Sequence, residues 1–314
     1  MSELHKFIFD GMPVRGMLVR LSADWQDVLK RRAEASAWPV PVRQLLGEMA
    51  AASCLMQASI KFNGALILQI VGDGPLKLAA AEVQPDLSFR VTAKVMGEVP
   101  QEADLASMAN VGGQGRCAIT LDASDRAPGK APYQGVVPLH GDQREPLKYL
   151  SDVLSHYMLQ SEQLDTTLVL AANDELATGL LIQRMPVEGE GNLGDRELEI
   201  GLNEDYNRIA RLAASLKREE LLTLDVETIL RRLFWEEPLR CFEPLQPRFE
   251  CRCSRERVGQ MLRSLGAEEI QSVLQEQGRV DVTCEFCGKG YGFDAVDANA
   301  LFTTLPTPGS DLVH

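Results

Sequence analysis

Four of the seven cysteines in this 314-residue chain fall in two close pairs near its C-terminal end, Cys251-Arg252-Cys253 and Cys284-Glu285-Phe286-Cys287. A thiolate is both a soft metal ligand and a nucleophile, so paired cysteines either bind a metal or exchange disulfides. Alternate residues of an extended segment point the same way, which lets Cys251 and Cys253 face one ion. Cys284-x-x-Cys287 followed by Gly288 has the form of a knuckle, the small residue letting backbone amides turn toward the sulfurs. Four thiolates close a tetrahedral shell and leave no open position for catalysis, the donor set of a structural zinc site holding one ion. None of the four histidines falls inside this unit. Both pairs are also close enough to oxidise locally, although a Cys-x-Cys bridge bends the backbone away from full extension. Zinc binding in a small domain is worth about 10–16 kcal/mol, and that energy is also folding energy. Losing the thiolates therefore unfolds the unit. On spacing alone a staple is the simpler reading; a redox switch is the sharper one.

The elements around the cysteines are readable. Ser254 is suited to cap a helix with Glu256 in its first turn. Val258, Met261, Leu262 and Leu265 form its apolar stripe, and Gly266 ends it. Ile270, Val273 and Leu274 continue a second short helix to Gly278, and Val280 and Val282 alternate as a strand entering Cys284. About sixty residues bury too little apolar surface to fold robustly without a staple.

Upstream, the first two-thirds mix strand-like and helix-like patterns. Strand signals occur at Phe7 and Phe9, around 14–21, and at 65–71, 76–83, 89–95, 117–121, 166–172 and 178–185. An exposed helix is expected over 24–35, one from Val42 to about Ile60 with Pro41 in its first turn, and one from Pro146 to about Gln163. The Gly- and Glu-rich stretch 188–195 ends this domain, and beyond it the pattern predicts helices only. Leu212 and Leu216 belong to one amphipathic stripe and Ile229 and Leu233 to another, with Asn203 and Thr223 or Asp225 as caps; neither stripe is buried by its own helix. Phe234 and Trp235 extend the second, so that Leu212, Leu216, Ile229, Leu233, Phe234 and Trp235 form a candidate surface for docking on the first domain or for contacting a client. The resulting class is α+β: an N-terminal α/β sandwich-like domain with mixed sheets and helices (1–190), a helical linker (195–248), a small four-cysteine zinc domain (249–302) and a tail expected to be disordered (303–314).

Net charge is −13, which repels phosphate backbones. Within the cysteine unit Glu256, Glu268, Glu269, Glu276, Asp281, Glu285 and Asp294 match the basic residues, so the alternative of a zinc-stapled nucleic-acid-binding module is disfavoured. The N-terminus has no secretory pattern and no apolar run is long enough to span a bilayer, so a cytoplasmic protein with reduced thiols and no membrane partner is expected. Cys54 and Cys117 read as buried core thiols, and Cys241, in the mobile stretch before the unit, as a bystander rather than a partner in exchange. Gly112-Gly113-Gln114-Gly115 lacks the lysine of a phosphate loop, and the spacing of His140 and His156 supports no hydrolase triad; no enzyme is expected.

The stretches 251–258, Val282-Thr283-Cys284-Glu285-Phe286-Cys287-Gly288-Lys289 and Tyr291-Gly292-Phe293-Asp294 resemble the redox-regulated 33-kDa heat-shock chaperone family (33 kDa chaperonin). Gly72-Asp73-Gly74-Pro75-Leu76, 133–139 and Ser161-Glu162-Gln163 carry the resemblance across the chain. It implies an ATP-independent holdase, inactive while reduced and zinc-bound. Oxidation would convert the cysteines into disulfides Cys251–Cys253 and Cys284–Cys287, release zinc and unfold the zinc domain and linker. Homodimers would then form and hold unfolded client proteins.

Overall fold

The structure, a computed structural model, describes residues 1–127, 129–185 and 203–303. The composition break at 188–195 and the tail from 304 lie outside the described residues. The chain gathers into two compact units, one ending at Glu250 and the next beginning at Cys251.

The first unit is built on two sheets. In one, β1 (Glu3–Phe9), β2 (Val14–Leu21), β8 (Thr166–Ala172), β9 (Ala177–Arg184) and β10 (Leu239–Cys241) run in the order β10-β1-β2-β9-β8. In the other, β3 (Gly64–Val71), β4 (Leu76–Val83), β5 (Ser88–Val95), β6 (Arg116–Ala123), β7 (Tyr133–Pro138) and β11 (Arg248–Phe249) run β11-β5-β4-β3-β6-β7. Neighbours are antiparallel except β11, which pairs parallel with β5. Between the sheets lies α2 (Val40–Ser59), with Pro41 in its first turn, where its missing N–H costs nothing. Its apolar residues are not confined to one stripe, and it is buried nearly all round because it meets a sheet on either side.

The five-stranded sheet is also covered on its other face, by α5 (Glu204–Ala214), α6 (Arg218–Thr223) and α7 (Val226–Phe234). Strand alternation sorts the residues: Leu4, Met17 and Val19 face α2, whereas Phe7, Phe9, Val14 and Leu18 face the helices. Every residue of β9 is buried, as a strand sandwiched on both sides must be. Phe234 packs edge-on to Phe9 with ring centroids 5.1 Å apart, and Phe7 lies 6.0 Å away. Such pairs are worth about 0.5–1.5 kcal/mol beyond their burial. Gly16 makes room for Phe7: a Cβ there would fall 2.0 Å from the ring. Gly16→Ala is therefore expected to cost about 1–3 kcal/mol, read as a lower urea midpoint with an unchanged slope.

Several expectations need correction. Helix α1 (Ala23–Ala35) is not wholly exposed, since Trp25 and Val28 are buried in the main core. The helix expected to open at Pro146 is α4 (Leu150–Glu162); Pro146 instead bridges to His140. A short α3 (Leu105–Ala109), capped by Asp104, and strand β7 had no counterpart in the reading. Among the described residues beyond 195 the pattern is not helix only: three helices stand where two were expected, followed by β10 and β11, which complete the edges of the two sheets.

The second unit comprises α8 (Arg255–Leu265), α9 (Ala267–Gln277), the hairpin β12 (Val280–Thr283) and β13 (Gly290–Phe293), and α10 (Ala295–Thr303). Its core is small: Val258, Leu262, Ile270, Val280, Tyr291, Phe293 and Ala298 are its buried apolar residues. The stripe of α8 is narrower than expected, with Met261 and Leu265 exposed.

Candidate metal centre and the covered sheet face

The second unit brings the four cysteines together. Ser254 caps α8, its hydroxyl accepting from the Arg257 N–H at 3.2 Å, which fixes the chain just after Cys253. The β12–β13 turn carries the other pair: Cys284 N–H donates to Lys289 O at 2.9 Å and Gly288 N–H to Cys284 O at 2.8 Å. Gly288 takes φ +72°, which glycine adopts without strain. The four sulfurs lie within 4.8 Å of one another, with Cys251–Cys284 at 3.6 Å and Cys253–Cys287 at 3.4 Å. Zinc–sulfur bonds of about 2.3 Å place sulfurs about 3.8 Å apart on a tetrahedron, so the donor set fits a metal ion such as zinc. Both of these contacts cross between the two sequence pairs.

Polar groups converge on the sulfurs. The Tyr291 hydroxyl donates to Cys253 Sγ at 3.0 Å. Cys251, and then the N–H groups of Cys287 and Phe286, hold the Cys284 thiol far down, to about 4, and the contact shared with Cys284 pushes Cys251 up. These N–H groups turned on the sulfur are what a Gly-terminated knuckle provides. Four sulfurs gathered in this way can hold a metal ion.

Of the six apolar residues singled out on the linker, Leu216, Ile229, Leu233 and Phe234 are buried against the five-stranded sheet and Leu212 packs at their margin. Trp235 is 73% exposed and takes no part. Asn203 and Asp225 cap their helices as expected, accepting from Tyr206 and Thr228 N–H. Three polar contacts that the sequence reading missed fasten the same helices. Arg20 on β2 donates to the carbonyls of Leu221 (3.1 Å) and Leu224 (2.6 Å) at the end of α6. Tyr206 shares a 2.9 Å hydrogen bond with Thr167. Arg218 is paired with Glu48, a buried carboxyl on α2 that desolvation pushes up and Arg218 pulls back. The only sequence signal for that pair was a lone glutamate inside an apolar helix.

The remaining candidates fall elsewhere. Cys54 and Cys117 are fully buried, and burial pushes both thiols up, Cys117 to about 12. Cys241 is exposed on β10, paired opposite Phe7 rather than in a mobile stretch. The 112–115 loop wraps the Asp73 carboxylate, which accepts from Gly112 and Gln114 N–H at 2.9 and 2.8 Å, so a carboxylate of the chain occupies that turn. His140 contacts the Gly141 carbonyl and His156 lies 3.7 Å from Asp142, two separate surroundings. No described helix is long and apolar enough to cross a membrane.

The family profile described as Hsp33 protein matches residues 2–294. The 33 kDa chaperonin of Chromobacterium violaceum is 46% identical over 300 residues, covering 96% of this chain and 93% of its own. That of Methylobacillus flagellatus is 42% identical over 314 residues, covering 99% and 98%. The crystal structure of the 33 kDa chaperonin from Thermotoga maritima superimposes with a TM-score of 0.74 at 20% identity, covering 96% of this chain and 98% of that one, and so shares the fold. Matched along nearly its whole length, with its four cysteines gathered at the end, this chain belongs to the Hsp33 family of 33 kDa chaperonins.

Proposed function

We propose that the protein is a redox-regulated, ATP-independent holdase. In the reduced state Cys251, Cys253, Cys284 and Cys287 hold one zinc ion, which supplies the second unit with folding energy its seven-residue core lacks. A peroxide or hypochlorite accepts two electrons for each disulfide, so closing Cys251–Cys253 and Cys284–Cys287 consumes two equivalents of oxidant. The thiolates that hold the ion are thereby removed.

The observation that carries the reading is the covered sheet face. Helices α5, α6 and α7 have 11, 6 and 9 residues, shorter than the about 12–15 at which isolated helices become marginal. Detached from the sheet they do not persist. Their loss bares Phe7, Phe9, Val14, Leu18, Leu180 and Ile182, a contiguous apolar face able to take up unfolding client chains and to pair two oxidised protomers. Cytoplasmic residence fits a resting state of reduced thiols.

The test is light scattering from a thermally unfolding reporter enzyme. Protein treated with peroxide at elevated temperature is expected to suppress aggregation near stoichiometrically, and zinc-loaded reduced protein not at all. Equal protection by both forms would remove the redox switch.

A further inference from the structure

At one open end of the two-sheet sandwich is a cavity of about 370 Å³. Its walls are apolar: Met56, Leu66, Ile119, Leu121 and Met158 line it. This volume lies at the low end of the about 300–1,000 Å³ typical of small-molecule sites, enough for one short chain. Across the mouth, Glu162 is already engaged, accepting from the Tyr157 hydroxyl at 2.7 Å and the Tyr133 hydroxyl at 3.3 Å.

Arg15 also lines the cavity. Because Leu4, Met17 and Val19 face the space between the sheets, alternation places Lys6 and Arg15 on that inner face too. Both are half-buried. Arg15 donates through Nε, at 3.1 Å, and Nη2 to the neutral amide oxygen of Gln183, whose amide Nε2 in turn donates to the Thr166 hydroxyl at 3.0 Å. Lys6 Nζ donates to the Ala58 carbonyl at 2.7 Å, beside the cavity-lining Ser59 and Ile60. Among the described residues neither cation is paired with a carboxylate. Burial pulls both cations down from their ordinary range, and Arg15 lowers Lys6 further. Two adjacent, partly desolvated cations without a counterion are unusual in a chain of net charge −13. An arginine with its fork partly free beside an apolar cavity is suited to a carboxylate.

We propose that this cavity binds a small carboxylate carrying a short unbranched apolar chain, with the chain between Leu66, Leu121 and Met158 and the head group on Arg15. The test is calorimetric titration of the reduced, zinc-loaded full chain with sodium octanoate, and in parallel with octan-1-ol, octylammonium chloride and sodium acetate. Octanoate is expected to saturate at one site per chain, with octanol at least tenfold weaker and octylammonium and acetate showing no saturable binding. Arg15→Gln should weaken octanoate at least tenfold, Arg15→Lys less, and Leu121→Trp should abolish binding by filling the cavity. Absence of octanoate binding, equal binding of octanoate and octylammonium, or wild-type affinity in Arg15→Gln would overturn the assignment. The ligand series on the unaltered protein decides the question even if a variant fails to fold. Use of the reduced protein keeps the result separate from the redox proposal.

Discussion

Ile229→Asp is expected to give a protein that suppresses aggregation while all its cysteines are still reduced. Ile229, on α7, is fully buried in the cluster that joins the helices to β1, β2 and β9. Truncating such a residue to alanine costs about 2–5 kcal/mol, and a buried carboxylate adds its own desolvation. Docking of three short helices cannot absorb that loss, and the helices do not survive undocking as isolated segments. The main core lies on the other side of the sheet and α2 keeps its own packing there, its tie to the linker being the Glu48–Arg218 pair, so the damage should be greatest in the linker. Hydrogen exchange should therefore quicken over 203–234 while the amides of α2, β3 and β4 stay protected. Trp235→Asp is the control for charge at the same end of α7, because Trp235 is exposed and docks on nothing. A reduced Ile229→Asp protein with loosened linker helices and no holding activity would show that the bared face is not what grips clients.

The parts of this protein that could be read from sequence are those determined locally. The cap at Ser254, the helix end at Gly266, the second helix to Gly278 and the strand into Cys284 each depend on residues within a few positions of one another, and all are as expected. The cysteine cluster was legible for the same reason: two short spacings and a glycine suffice to bring four sulfurs together. What escaped was determined at long range. Strand β10 has three residues and β11 two, too few to display a period, and they exist because β1 and β5 have open edges to fill. Pro146 resembled a helix start, yet it is spent in a bridge to His140 that only the fold brings near. The Glu48–Arg218 pair spans 170 residues, and nothing near Arg218 distinguishes it from its neighbours. Burial of α1 was missed because its inward apolar residues, Trp25, Val28 and the partly buried Leu29, are few among many charged neighbours.

The second large effect concerns which sulfurs join. If oxidation loosens the second unit only because local disulfides replace thiolate ligands, then a disulfide across the centre should do the opposite. Cys251 and Cys284 are 33 residues apart in sequence and Cys253 and Cys287 are 34 apart, yet each pair is in sulfur contact. Closing a loop of that length removes chain entropy from the unfolded ensemble worth about 4 kcal/mol. A Cys-x-Cys or Cys-x-x-Cys bridge closes almost no loop and contributes correspondingly little. The doubly substituted protein Cys251→Ser, Cys284→Ser keeps only the crossing pair in this unit. Once oxidised, it is expected to resist proteolysis between 251 and 303 without metal and to leave a reporter enzyme unprotected. Its counterpart Cys251→Ser, Cys253→Ser keeps only the local pair Cys284–Cys287. In oxidised form it should be cut readily in that unit and should hold clients. Both proteins lack two thiolates, have the same number of disulfides and lose the four-sulfur shell, so they differ in one respect: whether the bond spans the fold or stays within a turn. Limited proteolysis with mass mapping of the disulfides reads the outcome directly. Equal protease sensitivity in the two oxidised proteins would mean that loss of the metal ligands alone sets the state of the unit, and that the pairing of the sulfurs carries no information.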